Sequence, residues 1–374
     1  EWYMRIDEIR IHRKGLPAVR SYTMSSADVG SPESIVVRLT TDTGLVGWGE
    51  ACMATPLFQA ANAPRIQAAV EMMAPSLLGV DPTRINPVHD RMRSILDGNA
   101  EAKAVIDIAC WDLLGKATGR SVADLLGGVR MDPVSTYHVI GIGEAADAAA
   151  HAEQLQRSGL RKLQLKAGKD GDIERDIASI RAVASVLRAD TELAVDANRG
   201  WTTTQAIQVS RACADVRMSI EQPCTSYDAC ARVRPQLVHP LVLDESATDL
   251  ATVAKAITSG VADGFGLKLT RLGGLTAMRA ARDLCAAANV PMSCDDAWGG
   301  DIIAAACVHL GATLQPELSR GAWIAQPYVD QHYDPEHGPR IVGGMIPLPS
   351  NGPGLGLSIA DDTFGEPEAV FALR

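Results

Sequence analysis

A chain of 374 residues, 47% apolar and 21% charged, with a mean hydropathy of +0.03, is long enough for a barrel plus a companion domain and reads as soluble and globular. A formal net charge of −10 argues against nucleic acid or an anionic membrane as the main partner. No Lys/Arg-rich run, no bilayer-length apolar stretch, no signal-like segment in the opening EWYMRIDEIR and no C-x-x-C pair among the eight cysteines is visible, so the expected setting is the reducing cytoplasm.

Residues 4–14 alternate apolar and polar side chains and predict a strand. Residues 35–41 (IVVRLTT) and 45–49 (LVGWG) flank Asp42-Thr43-Gly44, a tight-turn signal, and predict a hairpin. Helical periodicity follows at about 60–78 and 101–117, the second run closing on a glycine. These elements compose an α+β domain over residues 1–130. From residue 134 short apolar runs alternate with amphipathic helices: STYHVIG, RKLQLKAG, ELAVDAN, RMSIEQP, PLVLDES, DGFGLKL, VPMSCDD and ATLQPEL. Eight strands are the number a closed β/α barrel requires. The predicted fold class is therefore α/β: a (β/α)8-type barrel over residues 131–324 with an N-terminal α+β capping domain. Residues 325–374 lose the rhythm, are rich in Pro and Gly, and are expected to run back over the cap.

Five of these runs end in a charged residue: LQLK at Lys166, LAVD at Asp196, MSIE at Glu221, LVLD at Asp244 and FGLK at Lys268. The steps are 30, 25, 23 and 24 residues, one strand plus one helix each. Residues at the carboxyl ends of barrel strands face one cavity. Three oxygen donors, Asp196, Glu221 and Asp244, would then stand between two amines. Such a set suits Mg2+, which takes oxygen ligands and keeps positions open. Histidine and cysteine are missing from these places, which argues against zinc. A single strand-end acid would as readily cap the next helix, and a single lysine would as readily snorkel outward; the complete set in register favours a site. A lysine near a cation in a dry cavity is expected to lose pKa toward the range of a general base. A divalent cation on a substrate carboxylate acidifies the α-hydrogen. One lysine then removes that proton. The other returns a proton on the opposite face, giving epimerisation, or protonates a β-leaving group, giving dehydration. The core motif supports both.

On these residues the chain resembles the enolase superfamily and, within it, the muconate lactonizing enzyme-like branch. LQLKAG, LAVDANRGW, SIEQPC, LVLDES and LKLTRLGGL carry the resemblance. It implies a magnesium cofactor on Asp196, Glu221 and Asp244, an acid–base pair of Lys166 and Lys268, supporting places for Asn198 and Glu245, a cap that closes over the substrate, and a symmetric homo-oligomer. The mandelate racemase branch has a histidine after strand seven; here that strand ends Ser293-Cys294-Asp295-Asp296. Many relatives carry a second lysine where Gln164 stands. A neutral amide lowers the base's pKa less than a cation would, and it can instead donate to the substrate carboxylate. CDDAWGGDI (294–302) and LQPELSRGAWIAQPY (314–328) resemble the subgroup holding 4-hydroxyproline betaine 2-epimerase and, further off, cis-3-hydroxy-L-proline dehydratase.

Only 4% of the residues are aromatic, yet Trp298 and Trp323 follow the seventh and eighth predicted strands, and Phe58 lies on the loop after the hairpin. With Asp295 they form an expected wall for an ammonium group; packing between domains is the plainer role for either tryptophan. The favoured expectation is a magnesium-dependent epimerase or racemase of a small-molecule carboxylate, a proline-betaine-like or other N-substituted cyclic amino acid. The alternative is a cis-3-hydroxy-L-proline dehydratase. Dipeptide epimerases and N-acylamino acid racemases share this core. A non-catalytic ligand-binding barrel has no need of the five-residue set, and the eight histidines form no cluster in sequence for a zinc or iron hydrolase. Substrate choice is expected to lie in the loops at about 15–32 and 52–62.

Overall fold

The structure is a computed structural model that describes residues 3–19, 22–26, 30–55 and 61–373. A first antiparallel sheet is built from Ile6–Gly15, Glu33–Thr41 and Val46–Cys52. The predicted hairpin turns at residues 42–45, where Gly44, at φ 81°, donates its N–H to the Thr41 carbonyl. Ala369–Ala372 adds a fourth, antiparallel strand on the outer edge of Ile6–Gly15.

Three helices, Ala63–Leu77, Ile85–Ile95 and Ala100–Thr118, follow the hairpin. The last is buried around most of its circumference and ends at Gly119 in the left-handed conformation. Its seat on the sheet depends on two glycines. A Cβ on Gly47 would lie 2.4 Å from the Ala109 carbonyl oxygen, and one on Gly49 would lie 1.7 Å from that of Val105. Only a residue without a side chain allows backbone to approach backbone so closely. The sequence reading passed over Ile85–Ile95, because this short helix buries only Ile85, Val88 and Met92 and carries Pro87 in its first turn.

The second sheet has eight parallel strands in chain order: His138–Ile140, Lys162–Lys166, Glu192–Asp196, Ser219–Glu221, Leu241–Leu243, Gly264–Lys268, Met292–Asp295 and Ser319–Ala322. A parallel bridge between Thr136 and Ala322 joins its two edges, reinforced by the Thr136 hydroxyl donating to the Ala322 carbonyl at 2.7 Å. The eighth strand corrects the sequence reading. ATLQPEL is the exit of the helix Asp301–Gly311 and a short 3-10 turn, Pro316–Leu318; pairing with the seventh strand begins at Ser319. Proline, which lacks an N–H, suits the turn better than the ladder. All eight cysteines are buried and free. Among the described residues, no helix is long and apolar enough to cross a membrane.

Two buried polar groups fasten the first sheet and its helices to the barrel. Glu50 accepts from the backbone N–H of Gly300 (2.8 Å) and of Ile303 (3.1 Å), at the start of Asp301–Gly311, and from the Tyr333 hydroxyl (2.7 Å). It thus supplies an anion to a helix N-terminus from another element. At the far end of the same helix, His309 accepts from the Ala123 N–H through Nδ1 (3.1 Å) and meets the Leu355 carbonyl through Nε2 (2.9 Å).

Candidate active site

Strand register sets the site. Lys166 stands opposite Asp196, Asp196 opposite Glu221, and Lys268 opposite Asp295. Asp244 follows directly on Leu241–Leu243. Lys166 Nζ lies 2.6 Å from Asp196 Oδ2; Lys268 Nζ lies 3.0 Å from Asp244 Oδ2 and 3.5 Å from Asp295 Oδ2. Arg271, on a short helix after the sixth strand, donates to both the side chain (2.7 Å) and the carbonyl (2.8 Å) of Asp244. Gln164 donates to Glu221 Oε2 at 3.1 Å. Asn198 bridges two acids, with its backbone N–H on Asp196 Oδ1 (2.8 Å) and its amide on Glu245 Oε1 (3.1 Å).

Asp196, Glu221, Asp244, Glu245, Asp295 and Asp296 are brought together with Lys166, Lys268 and Arg271 in the barrel mouth, so acids outnumber cations. The imbalance shows in the pKa values. Burial first, then Asp196 and Asp244, push Glu221 well above the carboxylate range. The same causes, with Asp244 ahead of Asp196, raise Glu245 to about 7. Asp244 goes the other way: burial would raise it, but Lys268 and Arg271 outweigh burial and hold it at about 2. Asp196 and Asp244 are turned to lysine amines and Glu221 to the Gln164 amide, and among the described residues no three His, Cys, Asp or Glu are arranged as a ready ligand shell. The donor chemistry nevertheless fits a hard divalent cation: carboxylates only, in excess of positive charge. Gly266 keeps the space beside them clear, since a Cβ there would lie 3.2 Å from Glu221 Oε1.

The lysines differ from expectation. Burial lowers the pKa of Lys166, but Asp196 and Glu221 outweigh it and the net shift is upward. Lys268 is likewise raised, by Asp244, Asp295 and Glu221 against burial. The expected fall assumed a cation balancing the acids; with the acids alone, the ammonium form is favoured.

Both lysines line one chamber with Gln164, Tyr137, Trp323 and, from the first sheet's loops, Tyr22 and Met24. Trp323 stacks on Tyr328 with ring centroids 5.8 Å apart. Trp298 stands behind it, 5.8 Å away, and donates its indole N–H to the Leu16 carbonyl at 3.3 Å, a contact between elements of the two sheets. Asp295 has both oxygens engaged: Oδ1 accepts from the backbone N–H of Trp323 (2.9 Å), and Oδ2 from the Tyr137 hydroxyl (3.0 Å) and from the Ser293 hydroxyl. Its neighbour Asp296 accepts from the backbone and the hydroxyl of Thr270, both at 2.8 Å. The Ser25 hydroxyl reaches the Asn198 carbonyl at 2.9 Å and ties the loop of the first sheet to the barrel mouth. Phe58 lies outside the described residues. Sequence reasoning missed Tyr137, Arg271, Tyr22 and Tyr328. Arg271, in the quoted LKLTRLGGL, was within reach, as were Tyr137 in STYHVIG and Tyr328 in LQPELSRGAWIAQPY, but none of them stands at a strand's carboxyl end.

A closed β/α barrel with acids and two lysines at its mouth defines a barrel enzyme of the enolase superfamily. Residues 147–363 match the family model "Enolase C-terminal domain-like", and residues 8–127 match "Mandelate racemase / muconate lactonizing enzyme, N-terminal domain". The chain belongs to the mandelate racemase/muconate lactonizing enzyme family. It is 37% identical, over 99% of its length and 100% of the other, to a cis-3-hydroxy-L-proline dehydratase of Roseibium aggregatum. It is 28% identical to an N-succinyl-L-Arg/Lys racemase of Bacillus cereus, over 73% of this chain and 74% of that one. A mandelate racemase/muconate lactonizing enzyme from Roseovarius nubinhibens ISM superposes with a TM-score of 0.94 at 33% identity, covering 99% of both chains. A member of the enolase superfamily from the same organism, complexed with magnesium, superposes at 0.93 with 30% identity, over 99% of this chain and 100% of that one.

Proposed function

We propose that this chain is a magnesium-dependent epimerase that inverts the α-carbon of a cyclic amino acid bearing a substituted, cationic ring nitrogen. One observation carries the reading: Lys166 and Lys268 end the second and sixth of eight strands, half a barrel apart, and line the same chamber. A planar intermediate between them is approached by an amine on each face, as inversion requires. Asp196, Glu221 and Asp244 would hold Mg2+. When bound, the ion withdraws electron density from the substrate carboxylate and acidifies the α-hydrogen. One lysine, as the free amine, takes that proton; the other, as ammonium, delivers one to the opposite face. Arg271 anchors Asp244, Asn198 spaces Asp196 from Glu245, and Asp295 orients Lys268. Trp323 offers a ring face to the cationic nitrogen.

A second reading is favoured by the 37% identical relative, a cis-3-hydroxy-L-proline dehydratase. There, the second lysine protonates the departing β-hydroxyl. Proton NMR in deuterium oxide with Mg2+ separates the two, using proline betaine, 4-hydroxyproline betaine and cis-3-hydroxy-L-proline in turn. Deuterium at the α-carbon with inverted configuration supports the epimerase. Loss of the hydroxyl supports the dehydratase, and no change in any tube refutes both substrate choices.

A further inference from the structure

Alternate side chains of a strand face inward, so the barrel interior is built in layers. Beneath Lys166, Asp196 and Glu221 the strand register sets Gln164, Ala194 and Ser219 side by side, and Ser293, two residues before Asp295, lines the same space. Barrel interiors are ordinarily filled by Val, Ile and Leu. Here the Gln164 amide, the Ser219 and Ser293 hydroxyls and the small Ala194 stand in their place. They leave a lower cavity of about 40 Å³, above the ~10–15 Å³ that a single water requires. Ala194 and Ser219 are partly accessible although they sit on inner strands and face the barrel axis.

The cavity has two neighbours. It shares Tyr137 and Gln164 with the reaction chamber above. It shares Glu192, Ser219 and Arg320 with an open groove under the barrel floor. At that lower mouth Lys162 pairs with Glu192 at 2.9 Å, and Arg320 donates to the Ser219 hydroxyl at 3.4 Å. Apolar cavities stay dry, whereas a roomy one lined by hydroxyl, amide and guanidinium groups supplies the partners a water needs.

We propose that this lower cavity is a water conduit, entered through the barrel floor beside Lys162, Glu192 and Arg320 and opening on the reaction chamber past Tyr137 and Gln164. It keeps the chamber in contact with solvent while Tyr22 and Met24 cover the top. For the acid–base reading above, on which this consequence rests, water arriving from below exchanges hydrogen with the two lysines, N–H for N–D, with no change in charge.

Two measurements test it. A high-resolution crystal structure of the protein should show ordered waters running from the floor to Tyr137 and Gln164; a dry or closed lower cavity overturns the proposal whatever the enzyme's reaction. The second is a single turnover in deuterium oxide. With the reaction stopped part-way, Ala194→Leu, which fills the conduit, should lower the ratio of deuterium in recovered substrate to deuterium in product, because the lysine that took the substrate's hydrogen hands it back before exchanging it, and the smaller Ala194→Val should do so to a lesser degree. An unchanged ratio in a folded variant overturns the conduit's role. If the wild type exchanges no α-hydrogen in any of the three substrates, the proposed function fails, and the crystallographic result still decides the conduit.

Discussion

Acid should loosen this protein through one buried imidazole. His309 is fully buried, and burial above all drives its pKa down from 6.5 to about 4. Both ring nitrogens are occupied, by the Ala123 N–H and the Leu355 carbonyl, so a second ring proton would face the Ala123 donor. Between pH 6.5 and 4 the unfolded chain binds a proton at this residue and the folded chain does not. Stability from His309 is therefore fully present above about pH 6.5 and is lost as the pH falls toward 4. A shift of that size, at 1.36 kcal/mol per unit, is worth about 3 kcal/mol in total. Asp296, raised to about 6 mainly by burial, works in the opposite sense, since its contribution is lost as the pH rises. A wild-type curve alone therefore mixes signs. The comparison with His309→Gln, which keeps an acceptor and a donor but does not titrate, removes the common groups. Urea midpoints followed by circular dichroism from pH 7.5 to 4.5 should fall more steeply in the wild type. Parallel profiles for the two proteins would refute the assignment.

Lys166→Ala and Lys268→Ala should each lower turnover by about 10²- to 10⁴-fold or more with the circular dichroism spectrum unchanged; full activity in either removes that lysine from the mechanism. Trp323→Ala should weaken binding of a quaternary-ammonium substrate by about 0.5–2 kcal/mol more than that of its uncharged analogue, read by calorimetry; equal losses would assign Trp323 to packing. Glu50→Gln sets an amide N–H against the Gly300 and Ile303 donors or leaves one of them unmet, and should cost about 1–3 kcal/mol in thermal or urea unfolding. Gly49→Ala drives a methyl into the Val105 carbonyl and should destabilise by about 1–3 kcal/mol or more; a melting temperature equal to wild type would show that the helix Ala100–Thr118 can simply move away.

The strands of the barrel were legible because they are short apolar runs, five of them with a charged terminus, and because strand order follows chain order in a parallel barrel. That places Lys166, Asp196, Glu221, Asp244 and Lys268 without any knowledge of packing. Arg271 and Tyr137 were not singled out, although both lie in quoted runs, because neither stands at a strand's carboxyl end and each partner is distant in sequence: Arg271 holds an acid 27 residues earlier, just past the neighbouring strand, and Tyr137 one 158 later. The need for glycine at 47 and 49 lies in a helix more than 50 residues on, which no local pattern encodes. The eighth strand slipped because ATLQPEL has the composition of a strand but a proline where the ladder needs a donor.

The pairing of Ile9 with Phe371 has a kinetic consequence. Closing a loop of that length costs conformational entropy that no local contact repays, and such distant contacts form late. The barrel lies between the two segments in sequence, so the outer edge of the first sheet is expected to close late in folding. It also follows that this edge, with few neighbours beyond it, is among the first places to open when the protein is warmed.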